Sequence, residues 1–536
     1  LRKGESLKIT QNRQGEPKPR KFFKFWDGGG VRFNVPNNDM RSIIHGIVER
    51  VFYVKIGGVH QRPPKFATDA NRLDGFKNKL TTLLGELRAC SPIEFVERYA
   101  GNKRKMYATA ANSLLEEPLS WEDSKIKAFT KAEYLKPGGV PRLIQPRSPR
   151  YNVALGCFLS PNEKTILHGV DQLFSREIGD NDHSTVAKGH NFKKRGAIIS
   201  RMWDQYNDPV CIGLDVTRYD QHVNETLLLF EHSIYEQLFN GQENNPYYGQ
   251  SLSTILKWQR RNHCSWTGKE GKVSYTTRGC RMSGDMNTSL GNVLIATGLW
   301  FTYLTETKRK FHLYNDGDDS CIICDRKTSK QIIKDIEPWF KQFGISMVVE
   351  GVFNSLEEIT FCQAKPVFDG TDWYLCPNPH KRCFSDLCTL KDMTSAKLMN
   401  LQLGAIAACG LAANGSTPIL NEMYKKMGTG VELFIPDRSH HLYKFRQELV
   451  DGLKPEFVEP TFDHRISFYH AFDITPEEQL IVERFYRDKL PILQHQISDR
   501  SFMFDITELS LLRPTLKPCL TYEGCDADDG RRVDFQ

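Results

Sequence analysis

The 536-residue sequence contains no run of about 20 apolar residues of the kind that crosses a bilayer as a helix. Its most apolar stretch, Leu398 to Leu411, is rich in Ala and Gly and too short to span, so a buried helix is expected there. No Gly-x-x-x-x-Gly-Lys-Ser/Thr loop occurs, which excludes a Walker-type helicase within the chain. The 14 cysteines are scattered rather than spaced as in a small secreted disulfide scaffold, and reduced thiols are the expectation. Cys321-x-x-Cys324 has the spacing of a zinc or redox pair, but it lies in an apolar run, so buried strand thiols are the reading. There is no internal repeat and no low-complexity tract. No signal-peptide pattern opens the sequence, and its first residue is Leu1 rather than Met, so a piece of a longer frame is expected. A large excess of one sign of charge is also lacking. There are 72 Lys+Arg against 65 Asp+Glu, and a net +7 says less about partners than where the cations sit.

What is present is an ordinary globular balance of 40% hydrophobic, 11% aromatic and 26% charged residues, in a chain too long for a single core. The first 35 or so residues are polar and basic and suggest a flexible leader. Apolar residues recur at helical spacing just after Met40 and again over about Phe76 to Leu87. Between Lys125 and Arg150 seven cations face one acid, Glu133, and six Pro or Gly residues forbid a long helix. The middle of the chain has an α+β pattern. It contains a strand Val210–Val216, a helix from about Glu225 to Phe239, a hairpin around Asn315–Asp318 and a short strand Ile345–Val349. After Asp372 the pattern is mostly helical, ending in a polar tail.

Three carboxylates stand out. In the strand Val210–Val216, Cys211, Gly213 and Asp215 share one face, while Ile212, Leu214 and Val216 share the other. The first face carries only small side chains beside one carboxylate, which leaves space for a ligand to approach Asp215. Asp318 and Asp319 lie together on a tight turn, where they repel unless a cation sits between them. Such a pair, with a third carboxylate on a neighbouring strand, suits two Mg²⁺ ions clamping the attacking and leaving oxygens of a phosphoryl transfer.

Asp220 follows Asp215 by five positions, and Ser283-Gly284 opens a run that continues through Thr288 to Asn292. Taken with Gly317-Asp318-Asp319, these residues resemble motifs A, B and C of viral RNA-dependent RNA polymerases. The stretches RLIQPRSPRYN, GLDVTRYDQHV, RMSGDMNTSLGN, NDGDDS, FCQAKPV and ISFYHAF…IVERFY are most similar to the Tombusviridae, including luteovirus and umbravirus-like relatives, over roughly Arg41 to Tyr486. The resemblance implies an α+β right-hand fold: fingers, a palm with an antiparallel sheet, and a mostly helical thumb. It implies a flexible basic leader at 1–35, fingers at 36–205 with motif F near 131–150, palm at 206–235, a fingers insertion at 236–278, palm at 279–370, thumb at 371–520 and a tail at 521–536. Asp215, Asp318 and Asp319 would be the catalytic metal ligands for two Mg²⁺, with Mn²⁺ as a substitute. Asp220, Ser283, Thr288 and Asn292 would select the ribose, whose 2′-OH is both donor and acceptor. Lys136, Arg142 and Arg147 would bind the triphosphate. Gly284 and the motif E residues Phe361, Cys362 and Gln363 would contact RNA.

The implied activity is RNA-templated RNA synthesis for a positive-strand RNA virus. The implied partners are single-stranded template, nascent RNA, NTPs, host factors and an upstream replication protein that holds the enzyme on cytoplasmic membranes. A reverse transcriptase or a non-catalytic RNA-binding subunit are the alternatives. One departure is visible. The run Ile345 to Glu350 lacks the Lys that relatives carry in motif D, with Lys341 before it and Lys365 after it, so the general acid for pyrophosphate is unassigned.

Overall fold

The structure is a computed structural model and describes residues 1–12, 20, 23–25, 35–56, 58–135, 138–242, 249–390, 395–436 and 450–493. Two four-stranded sheets and a hairpin organise the chain. Their strands, in chain order, are β1 (Ser6–Gln11), β2 (Ile126–Lys127), β3 (Pro209–Val216), β4 (Arg261–Gly268), β5 (Gly271–Arg278), β6 (His312–Asp316), β7 (Asp319–Asp325), β8 (Met347–Phe353), β9 (Ala364–Phe368) and β10 (Trp373–Pro377).

The first residues correct the expectation of a wholly flexible leader. β1 pairs antiparallel with β5, from Ser6 opposite Thr276 to Gln11 opposite Gly271. Backbone hydrogen bonds suffice for an edge strand, so the polarity of its largely exposed side chains is no obstacle. β5 and β4 form a hairpin, and β2 adds to β4 in parallel, giving the order β1–β5–β4–β2. Beneath this sheet packs the helix Met40–Ile47, which starts at Asp39, whose side chain accepts from the Ser42 N–H at 2.7 Å. Its buried Met40, Ile43 and Ile47 carry the helical spacing read from the sequence, and a π-helical turn, Val48–Phe52, extends it.

The central sheet has the order β6–β7–β3–β8 with every neighbouring pair antiparallel. Its strands β6, β7 and β3 are buried on both faces, while the edge strand β8 exposes Val348 and Val352. Ile212, Leu214, Leu313 and Ile322 join a core with the helices Asp74–Leu84, Glu225–Leu238 and Thr288–Thr307. Cys211, Tyr314, Cys321 and Ile323 pack with Ile198, Ile199 and Met202 of the helix Phe192–Trp203. Cys321 and Cys324 are buried free thiols, as their apolar setting suggests. The strand expected at Ile345–Val349 begins later and runs longer, as β8. It follows β3 with a bulge between Val349 and Gly351, a device that sequence periodicity does not reveal.

The C-terminal part is mostly helical, with a hairpin and the short strand Cys388–Thr389 added. β9 and β10 form an antiparallel hairpin that extends past Asp372. The apolar run is the helix Ala396–Asn414, among the described residues the one helix long and apolar enough to cross a membrane by length and composition. Half of its most apolar window is buried. Its glycines set the packing: a Cβ at Gly410 would stand 2.2 Å from the Tyr424 ring, and one at Gly404 would stand 2.0 Å from the Glu432 carbonyl oxygen. The helix Phe192–Trp203 meets β10 in the same way, since a Cβ at Gly196 would lie 2.2 Å from Tyr374 Cα. Because the obstacle is backbone, Gly196→Ala is expected to destabilise the chain by about 1–3 kcal/mol, read as a lower midpoint in urea unfolding.

Candidate active site

The turn between β6 and β7 is built by Asn315. Its Oδ1 accepts from the Gly317 N–H at 3.1 Å, and its Nδ2 donates to the Gly317 carbonyl at 2.8 Å and to Ser320 Oγ at 2.8 Å. Ser320 Oγ also accepts from the Trp300 indole at 3.3 Å. Gly317 takes φ +84°, a left-handed conformation that glycine adopts without strain, and Asp316 then pairs with Asp319. Ser320 lies opposite Leu214, so the next residues along the two strands, Asp319 and Asp215, reach the same end of the sheet.

The carboxylates feel one another there. Asp318 is pushed above the ordinary carboxylate range first by loss of surrounding water and then by repulsion from Asp319 and Asp220, with Arg142 opposing. The residue is exposed, and water there softens the repulsion as well as the cost of burial. Asp319 is raised by burial and then by the charges of Asp215 and Asp316, with Glu350 contributing. An all-oxygen set of mutually repelling acids suits a hard divalent cation such as Mg²⁺.

The face of β3 expected to stay open is filled below Asp215. Cys211 is in the core, and the space above Gly213 is taken by Phe353, whose ring would lie 2.8 Å from a Cβ there. Only Asp215, at the strand end, is left half-exposed for a ligand.

Asp220, Ser283 and Asn292 come together. Ser283 Oγ donates to Asp220 Oδ2, and Asn292 Nδ2 donates to Asp220 Oδ1 at 3.1 Å. Thr288 does a different job: its hydroxyl donates to the Met282 carbonyl at 3.0 Å and pins the loop from inside. Gly284, at φ +126°, lies against the backbone of Gln145 and Pro146, where a Cβ would come within 3.1 Å of Pro146 N. Beneath the cluster lies a pair that sequence reasoning missed. Arg281 Nη2 donates to Glu231 Oε2, and both side chains are at most 1% exposed. Arg281 Nε also donates to Asn292 Oδ1 at 2.9 Å, while Glu231 accepts from Asn287 at 2.7 Å and from the Tyr235 hydroxyl at 2.9 Å. Gly291 makes room for the pair, since a Cβ there would meet Glu231 Oε1 at 2.1 Å. The available signal was Glu231 itself, an acid set among apolar residues of the helix Glu225–Leu238.

The three expected phosphate-binding cations part company. Arg142 is exposed, 3.7 Å from Glu133, and its charge reaches Asp318. Arg147 is a correction. It is buried, paired with Asp285 at 2.7 Å, and it donates to the Ser124 carbonyl at 2.7 Å and to Asn262 at 2.5 Å. With its donors committed and its side chain 1% exposed, it holds the basic loop to the 283–288 loop rather than facing a substrate. Lys136 lies outside the described residues.

Phe361 is also a correction. It is buried, 5.1 Å from the Tyr314 ring, under the Arg195 guanidinium, and so supports β6 instead of touching RNA. Cys362 and Gln363 both have positive φ, 51° and 60°, and form the tight turn that leads into β9. Cys362 Sγ lies 3.7 Å from Asp316 Oδ2, which also accepts from Arg195 at 2.8 Å, while exposed Gln363 accepts from Lys381.

Comparison with known proteins fits this geometry. The profile described as viral RNA dependent RNA polymerase matches residues 7–493. The chain belongs to that family. It is 34% identical over 517 residues to the RNA-directed RNA polymerase of tobacco necrosis virus (strain A), covering 92% of this chain and 69% of that one. It is 32% identical to that of maize chlorotic mottle virus, with 92% and 51% covered, and 31% identical to that of turnip crinkle virus, with 90% and 63% covered. The chain thus spans between about half and two thirds of these polymerases' lengths. Within the family member at hand, the buried pair under the Asp220 cluster is the structural test case. Arg281→Met leaves Glu231 buried without its counter-charge and is expected to cost about 3–5 kcal/mol of stability, measured by chemical denaturation.

Proposed function

We propose that this chain is the catalytic unit for RNA-templated RNA synthesis, joining NTPs to an RNA 3′-OH in replication of a positive-strand RNA genome. The observation that carries the reading is the meeting of two groups of residues. Asp318 and Asp319 turn beside Asp215, and Asp220, held by Ser283 and Asn292, is close enough to raise Asp318 by its charge. In this reading the central sheet is the palm, the β1–β5–β4–β2 sheet and the basic loop belong to the fingers, and the helices after β10 form the thumb.

Asp215, Asp318 and Asp319 would hold two Mg²⁺, with Mn²⁺ as a substitute; the ions, when bound, neutralise charge on the attacking and leaving oxygens. Around them the chain does the positioning. Arg142 supplies a fixed positive charge on the side from which the triphosphate would approach. Asp220 accepts, and Asn292 Nδ2 donates, so the two match a ribose 2′-OH that donates to one and accepts from the other. Tyr219 does not stand over a sugar as a bulky gate would. It is buried, and its hydroxyl donates to the Asn292 carbonyl at 3.1 Å, which favours ribonucleotides over the reverse-transcriptase reading. The partners proposed are single-stranded template, nascent RNA and NTPs, with host factors and a membrane-anchored upstream replication protein at cytoplasmic membranes.

Asp318→Ala is expected to abolish Mg²⁺-dependent RNA synthesis on a single-stranded template while RNA binding persists; normal synthesis by the variant would remove the assignment. Asp220→Ala and Asn292→Ala are expected to lower the NTP/dNTP preference by about tenfold or more, since each removes a hydrogen bond to the hydroxyl. Competition between UTP and dTTP measures it, and an unchanged ratio would count against the ribose role.

A further inference from the structure

A second constellation lies at the opposite end of β6 from the carboxylate turn, and the polymerase reading makes no use of it. Among the described residues, one group of three His, Cys, Asp or Glu side chains offers ligand atoms that all lie within 4.8 Å of one another: Asp180, His183 and His312. Asp180 and His183 sit in the loop after the helix Glu163–Ile178, which ends at Gly179 in a left-handed cap. His312 opens β6, four residues before Asp316. At about 3.3 Å per residue, that is about 13 Å along the strand from the carboxylate turn, so this is a separate site.

Each side chain is already held as a ligand would be. His312 Nδ1 faces the Tyr206 hydroxyl at 2.7 Å, which leaves Nε2, and Nε2 stands 3.2 Å from Asp180 Oδ2. The other Asp180 oxygen, Oδ1, accepts from the Asp182 N–H at 3.0 Å. His183 Nε2 bonds the Thr185 hydroxyl at 2.8 Å. Its Nδ1 is buried with no hydrogen-bond partner among the described residues, in a residue only 5% exposed. A buried polar atom without a partner is costly and calls for an explanation. The two outer bonds, to Tyr206 and Thr185, are the type that fixes the ring and tautomer of a metal-bound histidine.

We infer that Asp180, His183 and His312 form a zinc site, with His183 Nδ1, His312 Nε2 and Asp180 Oδ2 as ligands and water as the fourth. Two imidazoles and one carboxylate are a donor set that zinc accepts. Ligand bonds of about 2.0–2.1 Å in a tetrahedron set neighbouring donors about 3.3 Å apart, which is the separation His312 and Asp180 already show. The ligand atoms of the group lie no more than 4.8 Å apart. Burial keeps both imidazoles neutral, the form that binds metal, and Asp180 offsets the nearby Arg201, whose guanidinium is engaged by the Asp182 carbonyl. The ion has a structural consequence. The loop continues into Thr185 and Ala187, which bracket Asn315: the Thr185 carbonyl accepts from the Asn315 N–H, and the Ala187 N–H donates to the Asn315 carbonyl, each at 2.8 Å. Zinc would fasten that loop to β6 at both ends of the strand that carries the carboxylate turn.

The test is metal analysis of the full chain, purified without a histidine tag and dialysed against metal-free buffer. One zinc per chain is expected in the native protein and in Asp318→Ala, and a fraction of that in Asp180→Asn and His312→Ala. Zinc added back to chelator-stripped native protein is expected to raise its Tm, with no such rise for Asp180→Asn. Cobalt in its place is expected to give the visible bands of a tetrahedral site. Native protein without stoichiometric zinc, equal zinc in Asp180→Asn, or loss of zinc in Asp318→Ala would each overturn the site. If His312→Ala does not fold, Asp180→Asn alone decides, since it keeps the shape of the side chain and removes its charge.

Discussion

The buried ion pair between Arg281 and Glu231 is the contact on which the arrangement around Asp220 depends. Removing two charges from water costs several kcal/mol for each ion, and the attraction between them repays this only when the remaining donors and acceptors are satisfied. Here they are met on both sides. Glu231 also accepts from Asn287 and Tyr235, and Arg281 also donates to Asn292. Through these bonds one helix, one loop and the start of the next helix become a single unit. Gly291 lets the second helix come close enough, and Asn292, one residue further, is delivered to Asp220. Ser283 arrives by the same loop, two residues after Arg281. The polar cluster facing the cleft is thus set from below by a salt bridge that solvent does not reach.

The carboxylate end of the sheet works on the opposite principle. There the charges are alike and are left in tension. Beyond the effect of burial, Asp319 and Asp220 raise Asp318, and Asp215 raises Asp319, and the chain relieves only part of this. Asp316 is tied to Arg195, and Arg142 acts on Asp318 across open space. The remaining excess negative charge is what gives such a site its affinity for divalent cations, since an ion placed there removes repulsion as well as gaining contacts. One half of the site is therefore satisfied internally before any ligand arrives, and the other half is not.

Much of this was legible in the sequence. The helical spacing after Met40, the strand ending in Asp215 and the hairpin about Asn315 reflect local periodicity and turn chemistry, which operate over a few residues. So do Asp318 and Asp319 as neighbours on a turn. What escaped depends on partners distant in the chain. Arg147 belongs to a basic loop by composition but pairs with an acid 138 residues away, and Phe361 sits in a stretch that suggests RNA contact but is buried on Tyr314. β1 was hidden because an edge strand needs no apolar signature when another strand supplies the hydrogen bonds. The reach of Glu231 was half visible, as an acid on an otherwise apolar helix, but its partner, 50 residues on, was not.

The burial of β3, β6 and β7 on both faces has a mechanical corollary. Along a strand the side chains alternate, so slipping β7 past β3 by one residue would turn Asp319 or Asp215 into the core. The next permitted step is two residues, about 6.6 Å, far too coarse to tune a metal site. The distance between the carboxylate-bearing strands therefore behaves as a discrete setting rather than an adjustable one. Length changes are confined to the connections outside the sheet, and whatever small movements accompany a reaction fall to side-chain rotation and to the Asn315 turn.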